Sequence, residues 1–399
     1  MNNSSITRWQ PFVMALLTVL TITPQVLAQG KAPAWVTEGP YVDAEAFSLS
    51  LPIESIAGKL YVSVELGGEP RRFVFDTGSP SMIRSDLAKS LGLKVVDQRK
   101  GRDSHGAMIE SDIVQAPITL GDVTFNKVPL FAADFGSSLA AKCLIGDGVL
   151  GSEILPLCAW QIDKPAGVLR CNTDLNSLDH IKDAKKQRLF SFGYPHTPYL
   201  DVQLAKKANS KAMFDTGSPA YLALSPPDYE GASRNKGIAG KIRGHGSLGG
   251  SLGGMAPVKD QVRAQLKAFS VGNVRLGRVS AHVREAPPSL LGAPLLDHFV
   301  LTLDQRSEAA FFAAYRDGPF ERPTFGFALG FSDPITISLV WEETPASDAG
   351  LPVGRTITSI NGAAVDYSCS GITRALEAMS AESIDLGWDG GAASLRKTE

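Results

Sequence analysis

The stretch Phe73-Val74-Phe75-Asp76-Thr77-Gly78-Ser79-Pro80 decides the reading, because it returns as Ala212-Met213-Phe214-Asp215-Thr216-Gly217-Ser218-Pro219. At average residue usage a given tetrapeptide falls at roughly 1 in 10⁵ positions. Two copies of Asp-Thr-Gly-Ser in equivalent surroundings are therefore a repeat, and a repeat sets architecture before any motif is considered.

The likeness extends outward from both copies. Upstream, Lys59-Leu60-Tyr61-Val62-Ser63-Val64-Glu65-Leu66 matches Thr197-Pro198-Tyr199-Leu200-Asp201-Val202-Gln203-Leu204. Downstream, Gly148-Val149-Leu150-Gly151 matches Ser289-Leu290-Leu291-Gly292, and Trp160-Gln161-Ile162-Asp163 matches Leu301-Thr302-Leu303-Asp304. The chain thus divides into a first lobe over 29–175 and a second over 176–318, with the polar stretch Thr173–His196 between the repeats as their connection. Each lobe reads as mainly β. Residues 61–66 alternate with the period of a strand. Apolar runs flank Gly121-Asp122 and Gly272-Asn273, which signals hairpins. Helix is expected over Ser85–Leu91 and in little else. Asp163 and Asp304 read as turn formers.

Three apolar residues before each Asp point to a buried strand that delivers a carboxylate to a turn. Gly78 and Gly217 permit positive φ and close approach of another backbone segment. The neighbouring hydroxyls can donate hydrogen bonds. Two such loops facing each other would hold Asp76 and Asp215 close enough to share one proton, so that one acts as base on a water and the other as acid on a carbonyl.

These motifs resemble the pepsin and retropepsin superfamily of aspartic proteases, and the two short lobes look like retropepsin-type units in tandem. The resemblance implies a bilobal double-ψ β-barrel fold with Asp76 and Asp215 as catalytic dyad. It implies that Thr77 and Thr216 lock the two loops and that Ser79 and Ser218 hydrogen-bond the carboxyls from outside. Val149-Leu150-Gly151 and Leu290-Leu291-Gly292 would complete each ψ. Flaps are expected at Lys100–Val114, which lacks the tyrosine of pepsin-like enzymes, and at the glycine-rich Gly244–Gly254.

Residues 319–399 change character. Gly326-Phe327-Ala328-Leu329, Thr344-Pro345-Ala346, Ala349-Gly350-Leu351 and Ile360-Asn361-Gly362 resemble a bacterial-type PDZ domain, a small α+β fold. The resemblance makes Gly326, Phe327, Ala328 and Leu329 the peptide-binding loop, with a ligand such as the C-terminus of a protein added as a strand.

The first residues read as a signal peptide over 1–28. Arg8 precedes the apolar stretch Phe12–Ile22, and Val26-Leu27-Ala28 suits cleavage after Ala28. The alternative is an uncleaved N-terminal anchor. An exported protein, periplasmic or secreted, is expected. Disulfides are then permitted, with one bridge among Cys143, Cys158 and Cys171, and Cys369 free.

A formal net charge of −2 gives no basic field for nucleic acid. No cofactor or metal is expected, since the histidines are scattered and no Cys-x-x-Cys occurs. The repeat Ser247-Leu248-Gly249-Gly250 lacks the Lys-Ser/Thr of a phosphate loop. The expected activity is aspartic endopeptidase, in a monomer acting on protein or peptide substrates recruited by the PDZ domain. The alternatives are a non-catalytic peptide-binding scaffold and a protease that processes only itself.

Overall fold

The computed structural model describes residues 32–398 apart from 57, 104, 136, 137 and 253. The expected signal peptide therefore lies outside the described residues, as do Ser104 and Gly253 of the two flaps.

The protein is mainly β, and its sheets carry the repeat seen in the sequence. In the first lobe the strand order runs Lys59–Leu66, Glu69–Phe75, Gly148–Leu150, Met82–Arg84, Val123–Ala133, Met108–Leu120, Val95–Arg102. The second lobe runs Tyr199–Ala205, Ala208–Asp215, Ser289–Gly292, Leu222–Leu224, Val274–Val283, Lys259–Val271, Ile238–Gly246. In each lobe the first strand also pairs with the sixth, at Glu65 with Thr119 and at Val202 with Val271, which closes the sheet on itself. Closure removes free edges that would otherwise invite pairing with other proteins. Gly121 and Gly272 sit at the hairpin tips with φ of 62° and 53°, a region that favours glycine.

A third layer joins the lobes. Strands Ser48–Pro52, Val168–Asn172, Ala159–Asp163, Phe299–Asp304, Ala309–Ala314 and Lys185–Phe190 run side by side across the molecule. Trp160 pairs with Leu303 and Ile162 with Leu301, so the two repeat ends meet directly. The connection Thr173–His196 is thus more than a linker: Lys185–Phe190 is a strand of this layer, with Gln187 and Leu189 buried and the basic residues beside them outward. Alternation of polar and apolar residues hid the strand within a charged segment. Asp163 and Asp304 end their strands, buried, and accept hydrogen bonds from Ala166 N at 3.1 Å and Ser307 Oγ at 2.7 Å. One apolar cluster runs through both lobes and the joining layer, including Phe75, Phe125, Trp160, Phe214 and Phe312.

Helix Ser85–Ser90 lies where expected, but the expectation of little other helix in the lobes is corrected by Leu139–Ile145 and Pro226–Arg234, while Cys369–Ser380 is a helix of the C-terminal α+β module. Each of these three starts on a serine, Ser138, Ser225 or Ser368, whose hydroxyl accepts a backbone N–H of the first turn.

The C-terminal module has a sheet in the order Ala363–Ala364, Ile357–Ile360, Ser383–Trp388, Gly391–Arg396 and a hairpin of Phe327–Gly330 with Thr336–Trp341. It does not hang free. Thr336–Trp341 pairs with Ile238–Gly246 of the second lobe, Gly244 opposite Trp341 and Gly246 opposite Leu339. On the other side, Ala140 of helix Leu139–Ile145 is buried in the module's own apolar cluster, with Leu139, Cys143 and Leu144 against it.

Two disulfides are formed. Cys158–Cys171 lies within the first lobe, as the sequence suggests, but Cys369 is not free: it bonds Cys143 across 226 residues. Helix Leu139–Ile145 brings Cys143 against the start of helix Cys369–Ser380, a proximity created by packing between units and invisible in cysteine spacing.

Candidate active site

The dyad is built from two strand ends. Strand Glu69–Phe75 lies parallel to Gly148–Leu150, and Asp76 N donates to Leu150 O at 3.0 Å. Strand Ala208–Asp215 lies parallel to Ser289–Gly292, with Asp215 opposite Gly292. After each Asp the backbone turns over its neighbour. Ser152 N donates to Ser79 O at 2.9 Å and Ala293 N to Ser218 O at 3.0 Å. Gly151 and Gly292 are required where the segments cross, since a Cβ there would fall 2.3 Å from Pro80 C and 2.1 Å from Ala220 O.

The loops interlock through their threonines. Thr77 Oγ1 donates to Phe214 O at 2.7 Å and accepts from Thr216 N at 3.2 Å. Thr216 Oγ1 donates to Phe75 O at 2.7 Å and accepts from Thr77 N at 3.1 Å. Four hydrogen bonds between fully buried groups thus cross the axis relating the lobes. Such bonds fix geometry strongly, because breaking one strands a buried partner.

This lock sets the carboxyls face to face. Gly78 N donates to Asp76 Oδ1 at 2.9 Å and Gly217 N to Asp215 Oδ1 at 2.8 Å. Each carboxyl also rests on the opposite loop's glycine. A Cβ on Gly78 would lie 2.4 Å from Asp215 Cγ, and one on Gly217 would lie 2.4 Å from Asp76 Oδ2. Close approach alone explains these glycines. The expected positive φ is corrected, since neither residue occupies the left-handed region. The loop is held by the threonine bonds without it.

The serines also differ from expectation. Ser79 Oγ is buried without a hydrogen-bond partner, and neither Ser79 nor Ser218 bonds a carboxyl among the described residues. Their backbone carbonyls are engaged instead by the ψ crossing, through Ser152 N and Ala293 N.

Burial and the Asp76 charge, together with a hydrogen bond between the two side chains, push the Asp215 carboxyl well above its usual range. Lys59 opposes this weakly. Its Nζ donates to Gly217 O at 3.3 Å.

Above the dyad lies a cleft of about 1760 Å³, lined by both lobes and by Leu329, Phe331, Tyr367 and Leu376 of the module. Small-molecule pockets span about 300–1,000 Å³. Residues of both expected flaps line it: Arg102, Asp103, His105 and Gly106 of the first, and Leu248, Gly249, Gly250 and Gly254 of the second. They meet where the His105 ring hydrogen-bonds the Gly250 backbone.

Of the four residues assigned to peptide binding in the module, Gly326 has φ of 84° and packs on Thr344, where a Cβ would fall 2.0 Å from Oγ1. Phe327 and Leu329 point into the module core, and Ala328 is half-buried. Strand Phe327–Gly330 is the outermost of its sheet.

Sequence reasoning missed Lys59, Arg263, His282, Arg284 and Trp341, all on the cleft wall. His282-Val283-Arg284 at strand spacing was the available signal, but only strand pairing shows which way it faces. Among the described residues no group of three or more His, Cys, Asp or Glu could hold a metal ion. No helix among them is long and apolar enough to cross a membrane.

Sequence comparison with curated proteins gives no match. Among solved structures, the aspartic proteinase from Irpex lacteus is similar over 67% of this chain and 97% of its own, at 12% identity and a TM-score of 0.42, too distant to carry an argument. Residues 62–154, which hold Asp76 and the whole first ψ, match the family model for aspartyl proteases.

Proposed function

We propose that this protein is an aspartic endopeptidase. One observation carries the reading: two carboxyls in hydrogen-bond contact, each seated on the other loop's glycine, in a cleft of about 1760 Å³ lined by both lobes. The pair shares one proton, with the raised Asp215 carboxyl in the role of acid and Asp76 in the role of base. A water above the pair gives its proton to Asp76 as its oxygen attacks the scissile carbonyl. Asp215 donates its proton to the carbonyl oxygen. On collapse of the tetrahedral intermediate Asp76 gives its proton to the leaving nitrogen while a hydroxyl of the intermediate returns its proton to Asp215, so the pair again holds one proton. The threonine lock keeps the carboxyls fixed, so no reorganisation is required at the moment of reaction.

The module fits a PDZ-type role, supported by the outermost strand Phe327–Gly330 and by residues that extend the cleft wall. A substrate segment added to that strand would lie beside Leu329, which lines the same cleft as the dyad. Two disulfides support export to an oxidising compartment.

The test is digestion of denatured casein at pH 3 to 7 by the full-length protein beside folded Asp76→Asn and Asp215→Asn variants. Cleavage by the parent alone supports the dyad. Equal cleavage by all three would refute it.

A further inference from the structure

The second-lobe wall of the cleft carries a cluster of bases with no acid to match. Strands Lys259–Val271 and Val274–Val283 pair antiparallel, with Arg263 directly opposite His282. Arg284 follows two residues after His282 and so shares its side of the sheet, held by Arg284 N donating to Leu224 O at 2.9 Å. All three line the cleft that holds Asp76 and Asp215, and all three are half-buried.

Their partners are few. The Arg263 guanidinium lies over the Trp341 indole, 4.4 Å from the ring centroid, and forms no ion pair among the described residues. A stacked guanidinium uses its face and leaves its N–H edge free. Arg284 donates one N–H to Pro288 O at 2.6 Å and likewise forms no ion pair among the described residues. The acids nearby are committed elsewhere: Glu285 pairs with Lys259, and Glu321 accepts from Gln265 at 3.1 Å and Ser280 at 3.4 Å. Of the dyad, Asp215 is the member that acts on Arg284. Burial, then Arg284, Arg263 and His105, push His282 down to about 4, so it stands neutral among them.

Cations partly withdrawn from water without a counter-charge are costly, and such a cost persists where a ligand relieves it. A forked guanidinium edge suits a carboxylate, which it binds through two parallel hydrogen bonds. The two arginines flanking a histidine have no counterpart on the matching first-lobe hairpin, the first-lobe bases on the cleft wall, Lys59, Arg102 and His105, lying outside it. The corresponding first-lobe hairpin, Met108–Leu120 with Val123–Ala133, has Lys127 as its one basic residue, and that pairs with Glu38 at 2.7 Å.

We infer that the cleft selects an acidic residue of its peptide substrate, whose carboxylate docks between Arg263 and Arg284 beside His282. This deepens the protease reading and rests on it for the word substrate. The pseudo-twofold of the dyad gives no direction to a bound peptide. A basic site in one lobe alone does.

The experiment uses the full-length protein with Asp76→Asn, so that peptides bind without being cut. End-capped nonapeptides place Glu at each position in turn, each beside a Gln twin, and fluorescence anisotropy reads their affinity. At one position Glu should bind about 10- to 100-fold tighter than Gln, the range of a charge-assisted hydrogen-bond pair. That preference should shrink at high against low NaCl concentration, and Arg263→Gln or Arg284→Gln should bring the twins together. Twins that bind alike at every position, including no binding by either, overturn the inference. So does a preference that survives both substitutions, or binding confined to uncapped peptides, which would mean a peptide terminus is read instead. Cleavage of the same peptides by the parent protein is a separate readout. Glu-selective binding without any cleavage would remove the protease reading and leave the acidic site standing.

Discussion

Replacing Glu153 with glutamine should make the fold more stable at neutral pH and change it little in acid. Glu153 follows the ψ crossing at Gly151, and its side chain is 1% exposed. Both carboxyl oxygens accept the single N–H of Ser81, at 2.8 and 3.0 Å. This bond, with those from its own backbone N–H and the Ser81 hydroxyl, offsets only part of the cost of burying a charge. Burial therefore pushes the group from the ordinary 4.5 up to about 7. The folded state keeps its proton to about pH 7, whereas the unfolded chain releases it near 4.5. Folded protein binds more protons in that window, so its stability falls as pH rises from about 4.5 through 7. At about 1.36 kcal/mol per pH unit the full effect is on the order of 3 kcal/mol. The glutamine variant cannot ionise at this position and escapes the loss. Urea unfolding of both proteins at about pH 4, 6 and 8 checks this, with Trp160 as reporter because its Nε1 donates to Ile154 O at 3.3 Å, one residue away. The stability difference between variant and parent cancels all other titrations. It should be near zero at about pH 4 and approach about 3 kcal/mol at about pH 8. A difference that stays flat across pH would show that Glu153 does not titrate in this range and that the reasoning is wrong.

Peptidase activity should decline as pH rises through the elevated range in which Asp215 loses the shared proton, and a rate that climbs steadily from about pH 5 to 9 would contradict the assignment of Asp215 as acid. Thr77→Ala strands Phe214 O and Thr216 N in the buried lock and should cost roughly 2–4 kcal/mol, whereas Thr77→Ser should recover most of it in denaturant titration. Joint Cys143→Ser and Cys369→Ser should lower stability by about 2–5 kcal/mol, since the bridge closes a loop of 226 residues. Limited proteolysis of that variant should cut first between the second lobe and the module. Unchanged melting and unchanged cutting would mean that packing of Ala140 and strand pairing alone hold the module.

The duplicated β plan, the two Asp-Thr-Gly-Ser turns and the hairpins at Gly121 and Gly272 are all legible along the chain. Each is a local signal: a strand period, a glycine at a turn, or a motif repeated at nearly equal spacing. Tertiary structure alone decided what those signals could not carry. Gly78 and Gly217 are glycines because the other lobe's carboxyl occupies the space of a Cβ, not because of their own φ. Cys369 finds Cys143 because two helices remote in sequence pack together. Lys185–Phe190, charged enough to read as a linker, is a strand because the joining layer buries Gln187 and Leu189. Glu153 looks like an ordinary surface residue until the ψ crossing encloses it. Arg263 and His282 become one site only through the antiparallel register that sets them opposite each other. In each case the deciding energy is burial or pairing between residues far apart along the backbone, and a sequence read one neighbourhood at a time does not contain that distance.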